Sequence, residues 1–270
     1  MHLLFDIGGT NTRVSVTEDG ATFREPVVYP TPREFEDGMR KLREAVLEVS
    51  GGVEQFEMIT GGFPGPLDTE KAAPLNAPNL PDWVRKPLKR SLEQMFSAEV
   101  LLENDAAQVG LGEAVYGAGK GKRIVAYLTI STGIGGARIV EGNIDTASIG
   151  FEPGHQIIGL EGEKPVYLEK LVSGKALQER HGIHPREIND TRIWDEVTRY
   201  VGICIHNTIL YWSPDIIVLG GSVMQSLDIQ AVTSYLDSCL YLLPTRPDIV
   251  HSELGDYGGL YGGLVRLKKF

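Results

Sequence analysis

Cysteine is nearly missing: Cys204 and Cys239 are the only two in 270 residues. The two lie 35 residues apart in helical patterns. They read as reduced core residues of a cytoplasmic protein, and a disulfide or metal role is the alternative reading. Positive charge is in deficit, with 26 Lys and Arg against 36 Asp and Glu, a net charge of -10. That balance argues against non-specific nucleic-acid binding and against an anionic membrane surface. No stretch of about 18 apolar residues occurs, so no transmembrane helix is expected. Met1-His2-Leu3-Leu4-Phe5-Asp6 has no basic region and meets an acid at once, so no signal peptide is expected. There is no long Pro/Ser-rich linker and no low-complexity tract. Disorder is excluded as well, because 42% hydrophobic and 23% charged residues are ordinary for a globular protein. The length suits two domains of about 130 residues.

Glycine, by contrast, is abundant at 32, and much of it is clustered. Leu3-Leu4-Phe5 runs into Asp6-Ile7-Gly8-Gly9-Thr10-Asn11-Thr12, and Arg13-Val14-Ser15-Val16 then alternates like a half-buried strand. Ala126-Tyr127-Leu128-Thr129-Ile130 runs into Ser131-Thr132-Gly133-Ile134-Gly135-Gly136, followed by Ala137-Arg138-Ile139-Val140. The same plan of strand, glycine turn and strand thus occurs twice, which suggests an internal duplication into two similar lobes. The best candidate boundary is Gly117-Ala118-Gly119-Lys120-Gly121-Lys122. The expected division is 1–120 and 121–256, with a last helix in 257–270 packing back on the first lobe.

Helices are expected between the strands. Thr31-Pro32-Arg33-Glu34 reads as a capping box ahead of a helix whose apolar face is Phe35, Met39, Leu42, Val46 and Val49. Further helices are expected over about Thr191 to Trp212, Leu227 to Leu243 and Tyr257 to Lys268. The glycines of the last would allow close packing. Ile216-Ile217-Val218-Leu219 reads as a buried strand ending in Gly220-Gly221. Strands alternating with helices give an α/β architecture.

Three segments carry candidate chemistry. A glycine turn lets backbone N–H groups approach an anion, and Thr10 and Asn11 add neutral donors. Asp6 beside that turn would suit a phosphate only with Mg²⁺ between them. The turn is neither a Walker A loop nor a Rossmann fingerprint, because the sequence G-x-x-x-x-G-K-[ST] does not occur and a strand follows the glycines. A plain tight hairpin remains the alternative. Leu101-Leu102-Glu103-Asn104-Asp105 ends a strand where a small-residue helix begins, so Asp105 is either an N-cap or a general base. Glu152, His155 and Glu169 could grip hydroxyls, or could be scattered surface polars.

These elements, in this order, resemble the ROK family (repressor, open reading frame, kinase) of the actin-like superfamily. Asp6-Ile7-Gly8-Gly9-Thr10-Asn11 resembles its first phosphate motif and 128–136 its second. Ile216-Ile217-Val218-Leu219-Gly220-Gly221 resembles its adenosine motif. Gly61-Gly62-Phe63-Pro64-Gly65-Pro66-Leu67-Asp68 followed by Asn79-Leu80-Pro81-Asp82-Trp83 is similar to its sugar-side loop. Glu103-Asn104-Asp105-Ala106 matches its catalytic-aspartate motif.

The resemblance implies two actin-like (ribonuclease H-like) lobes with a cleft between them. It implies Asp105 as general base, and Asn104, Glu152, His155, Glu169, Asn79 and Gly65 on the sugar. Asp6 would position Mg²⁺ through water. Gly8, Gly9, Thr10, Thr132 and Gly133 would surround the phosphates, and Gly220 and Gly221 would let the nucleoside approach a helix end. Asn11 and Arg13, which resemble a neighbouring group of bacterial glucokinases, would also line the nucleotide side. The expected activity is ATP- and Mg²⁺-dependent phosphorylation of a hexose, at O6 of glucose first. Fructose, mannose or an N-acetylhexosamine as acceptor, polyphosphate as donor, and a non-catalytic sugar-binding protein stay open.

A homodimer is implied, with no nucleic-acid or membrane partner. A ROK repressor would carry a helix-turn-helix ahead of the first hairpin; with that hairpin at Leu3, a repressor is not expected. Two departures stand out. The zinc-binding Cys-x-Cys-Gly-x-x-Gly-Cys pattern is missing from 156–168, so no zinc is expected. Phe151 stands where the family usually has glycine.

Overall fold

A computed structural model describes residues 1–145 and 150–269. The chain divides into two compact units. The first comprises residues 1–116, 150 and 254–269, and the second 117–145 and 151–253. Residue 270, the last of the expected 257–270 segment, lies outside the described residues.

The first unit runs β1 (His2–Ile7), β2 (Asn11–Thr17), β3 (Val27–Pro30), α1 (Phe35–Ser50), β4 (Met58–Phe63), α2 (Leu88–Phe96), β5 (Glu99–Asn104) and α3 (Asp105–Val115). Its sheet has the order β3-β2-β1-β4-β5. β1 pairs antiparallel with β2 and parallel with β4, and β4 pairs parallel with β5. β1 is buried at every position after His2 because both its faces are covered. Phe5, Phe63 and Val100 join Met39, Leu42 and Val46 of α1 in one core. The parallel strands β1, β4 and β5 end together, and that shared end holds Asp6, Gly62 and Asn104.

The second unit runs β6 (Ile124–Ile130), β7 (Ile134–Val140), β8 (Asn143–Ile144), β9 (Ile157–Glu161), β10 (Lys164–Tyr167), α4 (Glu169–Val172), α5 (Gly174–His181), α6 (Thr191–Trp212), β11 (Ile216–Gly220), α7 (Ile229–Cys239) and β12 (Asp248–His251). Its main sheet reads β12-β11-β6-β7-β8. β6 is antiparallel to β7 and parallel to β11, and β11 is parallel to β12. Read from the hairpin outward, both sheets have one strand order and one set of strand directions. This is the repeated topology of the actin-like fold. The duplication heard in the glycine hairpins therefore extends through both sheets.

The chain closes with α8 (Gly258–Leu267) in the first unit. A Cβ on Gly262 would lie 1.8 Å from the Gln108 carbonyl oxygen, and one on Gly112 would lie 2.4 Å from that of Gly258. Glycine on both helices is thus what lets α3 and α8 touch by their backbones.

Two sequence expectations are corrected. α1 starts at Phe35 with Glu34 as N-cap, and no side chain caps it. The Thr31 hydroxyl instead donates to the Gly8 carbonyl at 2.8 Å and pairs with the Thr12 hydroxyl at 2.9 Å. The residue that looked like a cap braces the first glycine turn. The helix expected over 227–243 is shorter, Ile229–Cys239, because the Asp228 carboxylate caps its start and Leu240 leaves helical geometry. Cys204 is buried and Cys239 half-buried, and both are free thiols.

Candidate active site

In the first unit, a small residue and two acids meet where the parallel strands end. A Cβ on Gly62 would lie 3.0 Å from Oδ1 of Asp6 and 3.2 Å from Cα of Asp105, so the two acids flank this glycine. From the other side, Gly259 of α8 packs on the Asp6 carboxyl. Asp6 is 7% exposed, and its Oδ1 is buried without a hydrogen-bond partner. Burial, and then the charge of Asp105, push the Asp6 carboxyl up to about 7. Burial likewise raises Asp105 to about 6, against the pull of backbone N–H bonds from Ala106 and its own amide. The first turn of α3 thus carries a carboxyl that is half-buried and poised near neutrality.

The cap of α3 is Asn104, whose Oδ1 accepts from the Ala107 N–H at 3.0 Å. Its Nδ2 donates to the Gly65 carbonyl at 3.1 Å. The capping alternative for Asp105 therefore falls on its neighbour. Gly65 sits at φ +90°, where a Cβ would strike the Asn76 carbonyl, so only glycine fits there. Asn79, at the far end of the same loop, lies against Gly9, with Nδ2 3.1 Å from where a Cβ would be. The glycine turn is closed by the Gly8 N–H donating to the Asn11 carbonyl at 2.9 Å, and the Thr10 carbonyl accepts from Thr31. Arg13 stands opposite Asp6 in the β1–β2 pairing and forms an ion pair with Asp256 at 3.1 Å.

The second unit repeats the glycine turn and adds the other polar cluster. The Glu169 Oε2 accepts from the Ile134 N–H at 2.9 Å, and Gly133 and Gly154 both pack on that carboxylate. The Thr132 carbonyl accepts from Lys175 at 3.3 Å, and that of Ser131 from Gly174 at 2.6 Å. Glu152 and His155 bracket a 3-10 turn, Pro153–His155, with His155 Nδ1 3.9 Å from a Glu152 oxygen. Pro153 packs over Gly136, so this turn is seated on the glycine hairpin. Gly221 is at φ +89°, and a Cβ there would lie 2.3 Å from the Ile130 carbonyl. One on Gly220 would meet the Tyr127 hydroxyl at 2.2 Å. These two glycines let β11 turn tightly against β6.

A model of the ROK family matches residues 3–269. The chain belongs to the ROK family. This ROK protein is 39% identical over 158 residues to a protein from Thermotoga maritima named glucokinase, a match that covers 57% of this chain and 49% of that one. The matched region thus spans about half of that relative's length. It is 29% identical over 302 residues to an N-acetyl-D-glucosamine kinase of Escherichia fergusonii, covering 97% of each. Among solved structures, the ROK hexokinase from Thermus thermophilus aligns with a TM-score of 0.83 at 30% identity, covering 99% of both chains.

Phe151 and the segment 156–168 of this ROK protein have structural accounts. Phe151, bridged to Gly136, packs its ring 4.8 Å from that of Trp212 on α6, which anchors the backbone next to Glu152. The cysteine-free segment 156–168 is an antiparallel β9–β10 hairpin. Gln156 ties its base to α6: Nε2 donates to the Pro153 carbonyl at 2.8 Å, and Oε1 accepts from Asn207 at 2.7 Å.

Sequence reasoning missed Gly259 as a wall of the Asp6 pocket and Asp256 as the partner of Arg13. Both sit some 250 residues from what they touch, and no local pattern announces such a contact. Gln108 was missed too. It is fully buried, and its Nε2 donates to the carbonyls of Phe5 and Gly259 at 3.3 and 2.8 Å. A polar residue on the inward face of a small-residue helix was the available signal.

Proposed function

We propose that this ROK protein is a hexose kinase that transfers the γ-phosphoryl group of ATP to a sugar hydroxyl, O6 of glucose first among candidates. The observation that carries the reading is the pair of desolvated carboxylates, Asp6 and Asp105, flanking Gly62 beside a glycine turn. A base working near neutral pH is most effective with a pKa near that pH. Asp105 accepts the hydroxyl proton as the phosphoryl group transfers in line, and the glycine turn beside Asp6 is suited to a close approach of the phosphates. The carboxylates of Glu152 and Glu169 and the imidazole of His155 are suited to orienting hydroxyls.

A divalent cation fits Asp6. Its buried, unpartnered Oδ1 and raised pKa describe a carboxylate short of positive charge. Among the described residues, no group of three or more acidic, His or Cys side chains is placed to hold a metal. Mg²⁺ is commonly held by one or two carboxylates and the nucleotide's own phosphates. Mg²⁺ would neutralise phosphate charge, and Asp6 would fix where it does so.

The reading is tested by sugar-dependent ADP release over glucose, fructose, mannose and the N-acetylhexosamines, with ATP or polyphosphate, with and without Mg²⁺. Glucose is expected to give the highest kcat/KM, with ATP and Mg²⁺ required. A protein that binds sugar but releases no ADP with any of them is a sensor and not a kinase. The same assay run against pH should show kcat/KM rising through about pH 6 as Asp105 ionises.

The Asp6 site should also cost stability. A carboxyl raised from 3.8 to about 7 means that the folded state holds more protons than the unfolded one across that window. Stability contributed by this group is therefore present below the unfolded pKa and is lost as pH rises towards 7. Asp6→Asn is expected to be inactive yet more stable at pH 7.5, by on the order of 2 kcal/mol. The gap in melting temperature should close towards pH 4. Parallel melting curves for the two proteins across pH 4–8 would contradict this account of the site.

A further inference from the structure

Glu103 is 6% exposed at the end of β5, one residue before the α3 cap and two before Asp105. A buried carboxylate is retained only where charge and hydrogen bonds offset its desolvation. Its Oε1 accepts from the Asn104 N–H at 3.0 Å, and its Oε2 pairs with the Lys71 ammonium. The Arg266 guanidinium, held by the carbonyls of Leu101 and Leu102 at 2.9 and 3.2 Å, supplies a second favourable charge.

Lys71 is at φ +50°, a left-handed conformation that costs a side-chain-bearing residue and suits glycine. The turn is already closed without its side chain. The Lys71 N–H donates to the Asp68 carbonyl at 2.9 Å, and the Ala72 N–H to Asp68 Oδ1 at 2.6 Å. Backbone considerations alone would favour glycine here. What lysine adds is an ammonium group on Glu103. The loop that carries Lys71 is also held at its start, where Asn104 bonds the Gly65 carbonyl, and at its far end Asn79 lies against Gly9. The strand end that delivers Asp105 thus grips this loop at two points.

Resting on the kinase reading above, we propose that Lys71 and Glu103 form a clasp that fixes the 65–79 loop to the turn bearing Asp105. Lys71 is then a positioning residue for phosphoryl transfer. It acts through Glu103 and the Asn104 amide, without touching the reacting groups.

The test is a cycle of wild type, Lys71→Gly, Glu103→Gln and the double variant, with Lys71→Arg added. Each is assayed for kcat, both KM values and melting temperature. Lys71→Gly relieves the backbone but leaves Glu103 to Arg266 and the Asn104 N–H, so its melting temperature should fall by a few degrees while the protein still folds. Its kcat should fall about tenfold with KM for ATP within about twofold. Lys71→Arg should recover most of kcat. The double variant should be no worse than the poorer single one, because the two residues act as one unit.

Full kcat in Lys71→Gly, losses that multiply in the double variant, or no recovery with arginine would each overturn the clasp. If Glu103→Gln does not fold, the glycine and arginine variants decide alone. A wild type without sugar-dependent ADP release removes the kinase reading and the clasp's role together. An active wild type with multiplying losses removes only the clasp.

Discussion

Asp105→Asn is expected to fold as the wild type does and to lose about 10²–10⁴ in kcat, the span that general-base catalysis supplies. The two halves of that expectation have separate grounds. The fold should survive because Asp105 is not the cap of α3: Asn104 is, through its bond from Ala107. The bond at position 105 in which Oδ1 accepts from the Ala106 N–H at 2.7 Å is open to the asparagine oxygen as well. Removing a desolvated carboxyl also relieves strain, since burial is the first cause of its raised pKa. The activity should collapse because an amide cannot take the proton of the attacking hydroxyl. KM for the sugar should change little, since proton transfer belongs to the transition state. Steady-state kinetics beside a thermal melt checks both halves. A variant that keeps its kcat assigns the base elsewhere, and one that loses its melting transition returns Asp105 to a structural role.

Much of this arrangement was legible in the sequence, and the part that was not shares one cause. The two glycine hairpins, the buried strand at 216–220 and the helix over 191–212 each follow from local pattern: apolar runs, period 3.6 and glycine punctuation. Asp6 and Asp105 stood at strand ends, where a parallel sheet collects its chemistry. What local pattern could not show was which surfaces close on those ends. The helix α8 returns about two hundred residues after β4 to cover β1 and β4, so Gly259 reads in sequence as a packing glycine of no stated partner. Thr31 shows the opposite failure. Its capping-box spacing was correct as a pattern, but the hydroxyl had a stronger use at the Gly8 carbonyl. Lys71 carried a signal only in hindsight, as a long cation in a turn whose backbone asks for glycine.

Gly259→Ala is the severest test of how Asp6 is held, and it should cost about 10²-fold in kcat, as misplacement of a reacting group by about 1 Å can do. The added Cβ would sit 2.6 Å from Cγ of Asp6 and 2.7 Å from its Oδ2, so one of the two must move. The helix cannot retreat freely. Gly259 holds Gln108 through its carbonyl, and Gly258 and Gly262 of the same helix already touch α3, where a Cβ on Gly258 would lie 2.7 Å from Val109. The carboxyl is left to shift or turn, and a higher Mg²⁺ concentration should then be needed for half-maximal rate. Alanine's better helix propensity, worth about 1 kcal/mol, works against any loss and makes a loss more telling. Gly263→Ala is the matched control. It overpacks the same helix, with a Cβ 2.6 Å from the Thr60 hydroxyl and 3.1 Å from Leu4, on a side chain set away from Asp6. That variant should lose about 1–3 kcal/mol of stability and keep kcat and its Mg²⁺ dependence. Equal loss of kcat in both would mean that the helix as a whole, and not the wall behind Asp6, governs the rate.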